Sequence, residues 1–265
     1  MLVDSHCHLD FDSFDEDRAE TIQRALDAGV GTMVTICTRL SRFEQIRAIA
    51  RSHDRIWCSV GIHPHQVAEE ERAETGRLVE LAEDPKVVGI GETGLDYYYD
   101  TSPREDQKTS FRAHIAAARE TGLPLIVHTR DADDDMVEIL TEEYANGAYP
   151  GVLHCFSSGR KVAEAALDIG FYISMSGILT FRNAEDLRGI IRDVPLERLL
   201  VETDSPFLAP IPNRGKRNEP SFVVHTAEKA AEIKDVPSDV LAEATTENFF
   251  RLFSKAARPT APSTS

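Results

Sequence analysis

Eight short apolar runs, separated by amphipathic or polar stretches, constrain this chain more than any other feature. They are Leu2–Leu9, Gly31–Cys37, Ile56–Gly61, Val87–Gly91, Pro124–His128, Gly151–Phe156, Phe171–Gly177 and Arg198–Val201. Each is rich in Val, Ile and Leu, the pattern of strands buried on both faces of a parallel sheet. Parallel strands need crossovers, and the intervening segments supply them. Asp17–Ala28 stops at Gly29; Arg104–Thr121 puts Phe111, Ile115 and Ala118 on one face before Gly122; Lys161–Ile169 stops at Gly170. Ser221–Lys234 and Ser238–Phe253 read as closing helices. This alternation within 265 residues predicts an α/β fold, a single-domain (β/α)8 TIM barrel over residues 1–255. An open doubly wound sheet is the alternative, but no Gly-X-Gly-X-X-Gly follows the first strand. Residues 256–265, AARPTAPSTS, read as a disordered tail.

Composition narrows the setting. No apolar run approaches the ~20 residues of a membrane helix. No basic segment followed by an apolar stretch opens the chain, so no signal peptide is expected. Cys7, Cys37, Cys58 and Cys155 are scattered in apolar runs, the pattern of buried free thiols in a cytoplasmic protein. A net charge of −16 repels nucleic acid in bulk, so a nucleic-acid substrate would have to be held by a local basic patch or by metal ions.

In a barrel of this kind, chemistry gathers at the C-terminal ends of the strands. Side chains alternate along a strand, so His6 and His8 share one face of the first strand and Cys7 takes the other. His63 and His65 follow the third apolar run, Glu92 the fourth and Asp204 the eighth, while His128 and His154 end the fifth and sixth. His53, His114 and His225 fall elsewhere. Independent histidines have no reason to prefer the same end of four elements, so a shared metal site is the economical reading. Four imidazoles (His6, His8, His128, His154) and two carboxylates (Glu92, Asp204) exceed the three protein ligands of a single catalytic zinc. They fit two divalent ions, with Glu92 as the bridge because its strand lies between the two imidazole groups. Mixed nitrogen and oxygen donors suit Zn, Mn, Co or Fe, and Mg less well.

His6-X-His8, Gly61-Ile-His-Pro-His65, Gly91-Glu-Thr-Gly-Leu-Asp96, Pro124-Leu-Ile-Val-His128, His154-Cys-Phe-Ser157, Glu202-Thr-Asp-Ser-Pro206 and Arg214-Gly-Lys-Arg-Asn-Glu-Pro220 follow one another in order. This ordered set resembles the TatD family of metal-dependent deoxyribonucleases, within the amidohydrolase-like barrels. The likeness runs from residue 2 to about Phe253. It implies a monomeric, cytoplasmic, divalent-metal-dependent hydrolase acting on DNA phosphodiesters, commonly as an exonuclease on single-stranded ends. By the matching motifs, His6, His8, Glu92 and Asp204 would surround one ion, and Glu92, His128 and His154 the other. His63 would lie at the substrate phosphate or support the site. Relatives often carry His or Tyr just before the Arg-Gly-Lys segment, where this chain has Asn213.

Asp204 is the candidate for orienting the attacking water and accepting its proton, and His63 for donating a hydrogen bond at the leaving oxygen. Arg130, Arg214, Lys216 and Arg217 are the candidate phosphate contacts. Of Tyr97, Tyr98 and Tyr99, one is a candidate for stacking a base, with the others packed over the barrel mouth. Asp96 is expected to organise that loop, and His65 to belong to a turn shaped by Pro64. A metal-dependent deaminase or cyclic amidase on a related barrel competes with this reading. The amidases typically bridge their metals with a modified lysine where this chain has Glu92. A catalytically silent scaffold is the remaining alternative.

Overall fold

The computed structural model describes residues 1–259. Eight parallel strands stand in sequence order: β1 (Leu2–Cys7), β2 (Val30–Thr35), β3 (Ile56–Val60), β4 (Val87–Asp96), β5 (Leu125–Arg130), β6 (Gly151–Leu153), β7 (Tyr172–Met175) and β8 (Leu199–Val201). The crossover helices are α1 (Arg18–Asp27), α2 (Phe43–Arg51), α3 (Thr75–Ala82), α4 (Arg104–Thr121), α5 (Asp133–Ala145), α6 (Arg160–Asp168) and α7 (Glu185–Asp193); α8 (Val223–Lys234) and α9 (Ser238–Leu252) follow β8. This is the (β/α)8 barrel that the alternation of apolar runs predicts. Four helices, α2, α3, α5 and α7, lie in stretches where the sequence names none; α2 shows why they form, burying Phe43, Ile46, Ile49 and Ala50 along one face.

The two strand faces bury different cores. On β3, Ile56, Cys58 and Val60 face the helical layer, while Trp57 joins Val3, Val34, Val88, Ile126, Val152, Tyr172 and Leu200 inside the barrel. From below, Phe249, Phe250 and Phe253 of α9 and the segment after it close that interior. Asn248 pins the same helix to the start of β8, donating to the carbonyls of Leu196 and Leu199. The chain expected to be disordered from residue 256 stays docked at first: Ala256 is buried in the interior cluster and Arg258 pairs with Glu247. The rest of that expected tail, residues 260–265, lies outside the described residues. No helix among the described residues is long and apolar enough to cross a membrane.

Register irregularities aim the functional side chains. Val3 faces the barrel interior and Cys7 the helical layer, although their spacing would give them the same face. The pairing of β1 with β2 slips between Asp4 and Cys7, which changes the phase and leaves His6 and His8 opposite Cys7. In β4, Gly91 pairs with Ile126 and Thr93 with Val127, so Glu92 is an extra residue. Such a bulge re-aims a side chain at the rim of a barrel. Glu92 therefore lies inside a strand that runs on to Asp96, and not after a strand ending at Gly91. Gly94 is needed there: its φ is +135°, and a Cβ would fall 2.0 Å from the carbonyl oxygen of His128.

The ring closes between β1 and the residues after β8. The amide of Asp204 donates to the carbonyl of His6 (2.9 Å) and that of His8 to Ser205 (2.8 Å). Below them, Thr203 donates twice to Asp4, from its amide (2.8 Å) and its hydroxyl (2.6 Å). Burial pushes the Asp4 carboxyl up to about 8, against these bonds. Removing the acceptor leaves a buried amide unpaired. Asp4→Ala is therefore expected to lower the unfolding free energy by about 2–3 kcal/mol in urea denaturation. Asp4→Asn, which keeps a neutral acceptor, is expected to cost well under half of that.

Candidate metal centre

One carboxylate sits at the centre of the site. Glu92 is buried, and its two oxygens face different imidazoles. Oε2 lies 3.3 Å from His6 Nε2 and 3.9 Å from His8 Nε2. Oε1 lies 2.7 Å from His154 Nε2, 3.2 Å from His128 Nδ1 and 3.2 Å from His63 Nε2. Asp204 Oδ1 joins the first group, 3.3 Å from His8 Nε2 and 3.6 Å from His6 Nε2. Burial opposes charging Glu92, but the surrounding imidazoles, His154 foremost, hold its carboxyl well below the usual range. Burial likewise opposes a charge on His154, yet Glu92 and Glu202 carry its pKa well upward. His6 goes the other way, lowered by burial and by His154.

The outer hydrogen bonds fix which ring nitrogen keeps a proton, and this separates candidate ligands from donors. His154 Nδ1 faces Glu202 Oε1 at 3.2 Å, so that nitrogen keeps its proton, and Nε2, which faces Glu92, is the atom that would coordinate once a cation replaces its own proton. His128 Nε2 faces Asp96 Oδ2 at 2.9 Å, which leaves Nδ1 free to coordinate. His63 is different. Its Nδ1 accepts from the amide of His65 (3.1 Å), so its proton is on Nε2, directed at Glu92. His63 therefore acts as a donor beside the second group. Burial pushes it down to about 4, which keeps the ring neutral.

The donor atoms suit divalent ions. Tetrahedral coordination at ~2.0–2.1 Å sets ligand atoms ~3.3–3.4 Å apart. In the first group His6 Nε2 and His8 Nε2 are 3.3 Å apart, and in the second His128 Nδ1 and His154 Nε2 are 3.4 Å apart. Glu92 Oε2 is buried without a hydrogen-bond partner, as an oxygen reserved for a cation would be.

Two residues matter more than their sequence context indicates. Glu202 is buried and accepts from the Cys155 amide (2.7 Å) as well as facing His154. Its position in the motif Glu-Thr-Asp-Ser-Pro was the available signal. His65 does more than shape a turn: its Nε2 meets Asp96 Oδ2 at 2.8 Å. Asp96 also accepts from the amides of Tyr98 and Tyr99, organising the loop as expected.

The basic residues separate. Arg130 lines the cleft of about 700 Å³ above the imidazoles, and its guanidinium has no ion-pair or hydrogen-bond partner among the described residues. Arg214, Lys216 and Arg217 do not line that cleft. Arg214 lies over the Phe181 ring, and Lys216 is exposed. Arg217 is engaged within the fold: both its terminal nitrogens are bound to Asp17 at 2.7 Å, which docks the loop after β8 on the residue that precedes α1. Of the tyrosines, Tyr97 is tied to Asp135, while Tyr98 and Tyr99 are more than half exposed and Tyr99 lines the cleft.

The family model described as TatD related DNase matches residues 3–254. The chain belongs to the TatD family. Its TatD relatives include the uncharacterized metal-dependent hydrolase YcfH of Escherichia coli strain K12, 46% identical over 256 residues and covering 96% of each chain. The 3′-5′ ssDNA/RNA exonuclease TatD of Erwinia tasmaniensis is 35% identical over 258 residues, covering 95% of this chain and 99% of its own. Among solved structures, YjjV, a TatD homologue from E. coli K12, superposes with a TM-score of 0.87 at 28% identity, covering 96% of this chain and 98% of that one. As a TatD protein, the chain is a metal-dependent hydrolase.

Because Asp96 fixes the His128 tautomer, Asp96→Ala is expected to weaken metal binding by roughly 10–100-fold, read by titration of the metal-free protein. A second expectation concerns His114 of α4, which accepts from the amide of Ile62 (3.0 Å) and so holds the chain entering His63. Burial pushes His114 down to about 4 from 6.5. Between these values the unfolded chain binds a proton that the folded chain refuses, so stability falls as pH drops. His114→Gln, which keeps an acceptor without titrating, should remove about 3 kcal/mol of the loss between pH 7 and pH 4, measured by urea denaturation at both.

Proposed function

We propose that this protein hydrolyses phosphodiester bonds at unpaired DNA ends, as an exonuclease, with two divalent ions sharing Glu92. The observation that carries the reading is the division of the Glu92 carboxylate between two imidazole groups, below a cleft whose partnerless cation is Arg130. The bridging position holds a carboxylate and not a lysine, which favours phosphoester over amide chemistry. The Erwinia relative, named as a 3′-5′ ssDNA/RNA exonuclease, points the same way and makes the 3′ end the first to test. The cysteines are free thiols, consistent with a cytoplasmic setting.

In this reading His6, His8, Glu92 and Asp204 hold one ion, and Glu92, His128 and His154 the other. Bound there, the ions would supply Lewis-acid polarisation of the phosphate and acidify a water. The chain's own groups do the rest. Asp204 stands at the cleft side of the first group with its carboxyl held low by His8 and His6 despite burial, so it is ionised to orient the water and take its proton. His63, protonated on Nε2, donates to the phosphate or the departing oxygen. Arg130 neutralises a backbone phosphate at the mouth.

Metal-loaded protein should shorten labelled single-stranded DNA from its end, and a chelator should stop it. Asp204→Asn should lower kcat by roughly 10²–10⁴-fold with metal retained. Glu92→Ala should lose both metal and turnover, and near-normal activity with metal retained would refute the bridge. Parallel incubation with RNA, nucleobases and dihydropyrimidines separates the nuclease from a deaminase or cyclic amidase. Inertness toward all of them favours a scaffold.

A further inference from the structure

The cleft above the metal centre has an aromatic wall at each side. One wall comes from the ends of β1 and β8. Phe207 is 50% exposed, and its ring meets Phe11 (5.7 Å between centroids) and His8 (6.4 Å). The other comes from the ends of β4 and β5. Tyr99 is 55% exposed, edge-on to His65 at 5.1 Å, with the Arg130 guanidinium 4.9 Å from its ring and 4.0 Å from that of Tyr98. In a ring of eight strands in sequence order, the β8–β1 seam lies across from β4 and β5. Phe11, Phe207, Tyr99 and Arg130 all line the one cleft, with the imidazoles between the two walls.

Phe207 is held in the open by its backbone. Leu208 (φ +57°), which follows it, and Asp204 (φ +55°), three residues before it, both adopt the left-handed region, uncommon for residues other than glycine. The buried side chain of Asn218 donates to the carbonyls of both Phe207 (2.6 Å) and Thr203 (2.9 Å). Gly177 lets the Leu208 carbonyl approach so closely that a Cβ would fall 2.0 Å from it. The fold thus holds a large, half-exposed apolar ring beside the site, with Phe11 against one edge.

We propose that the two walls stack two consecutive, unpaired bases, one on Phe207 with Phe11 and the other on Tyr99, so that the phosphodiester between them crosses the metal centre. This inference rests on the phosphodiesterase reading and adds the recognition element. Flat rings on both sides accept any base, because every base has a π-face. Arg130, stacked against the tyrosines and without an ion-pair partner among the described residues, supplies the cation for the backbone on that side. The arrangement requires bases splayed out of a duplex, so it selects single strands by shape while the overall charge of −16 disfavours loose binding.

The test uses metal-loaded full-length protein and single-stranded oligonucleotides carrying an abasic residue at the 3′-terminal or the penultimate position. For the wild type, each abasic residue should lower kcat/KM about tenfold, mainly through KM. Phe207→Ala should erase the penalty at one of the two positions and Tyr99→Ala at the other, while Phe207→Trp and Tyr99→Phe restore them. As a second readout, 2-aminopurine at the same positions, in strands with phosphorothioate terminal linkages, should be quenched on binding by the wild type. Each alanine variant should relieve the quenching at its own position only. Full abasic penalties in both variants, or both rings coupling to one position, would overturn the inference while leaving the nuclease reading intact. If the wild type cleaves none of these strands and quenches none of them, the nuclease reading falls and this inference with it.

Discussion

The hydrogen bond from the Asp204 amide to the His6 carbonyl closes the barrel and assembles the site in one contact. His6 and His8 belong to the first strand and Asp204 follows the last, so their donor atoms come within 3.3–3.6 Å of one another only when the ring is shut. No long ladder does this closing. The join is an isolated bridge between Cys7 and Ser205, supported by Thr203 on Asp4 below it. The third contributor, Glu92, reaches the same point from across the barrel through the bulge in β4. Fold and centre are therefore specified by the same few backbone bonds.

Burying a carboxylate without compensation costs several kcal/mol, on the order of the stability of a whole domain. Here the compensation is arranged in two shells. The imidazoles of His6, His63, His128 and His154 face Glu92 directly. Behind them, Asp96 and Glu202 orient the rings by holding the nitrogen that does not face Glu92. His63 lacks a carboxylate behind it and takes a backbone amide instead, which fixes its one proton on the inward nitrogen, while His128 and His154 have a carboxylate behind them that leaves the inward nitrogen as the atom available to a cation. A small difference in the outer contact thus sets the chemistry of each inner group.

Much of this was legible in the sequence because two periodicities carry it. Apolar runs of strand length, spaced by helices, gave the barrel, and alternation within Leu2–Leu9 gave the shared face of His6 and His8. What was not legible depends on contacts between distant residues. Arg217 reads as a free basic residue until Asp17, 200 positions away, is seen to bind it. Glu202 ends an apolar run like any strand-terminal acid, and only the fold places His154 against it. The extent of β4 was hidden because Gly91 and Gly94 look like strand breakers, although both are required by close approach to β5. Tyr98, Tyr99 and Phe207 carry no local signal that distinguishes an exposed ring from a packed one.

The stopper formed by α9 has a consequence for how the molecule comes into being. Phe249 and Phe253 fill the lower end of the barrel, and the Thr246 hydroxyl donates to the carbonyl of Met1, across 245 positions of sequence. The first strand is thus satisfied at its base by a helix that leaves the ribosome long after it. Until α9 emerges, the inner faces of the early strands have no floor. The nascent barrel must wait with exposed apolar edges, a period in which helpers that shield unfinished sheets would have most to offer.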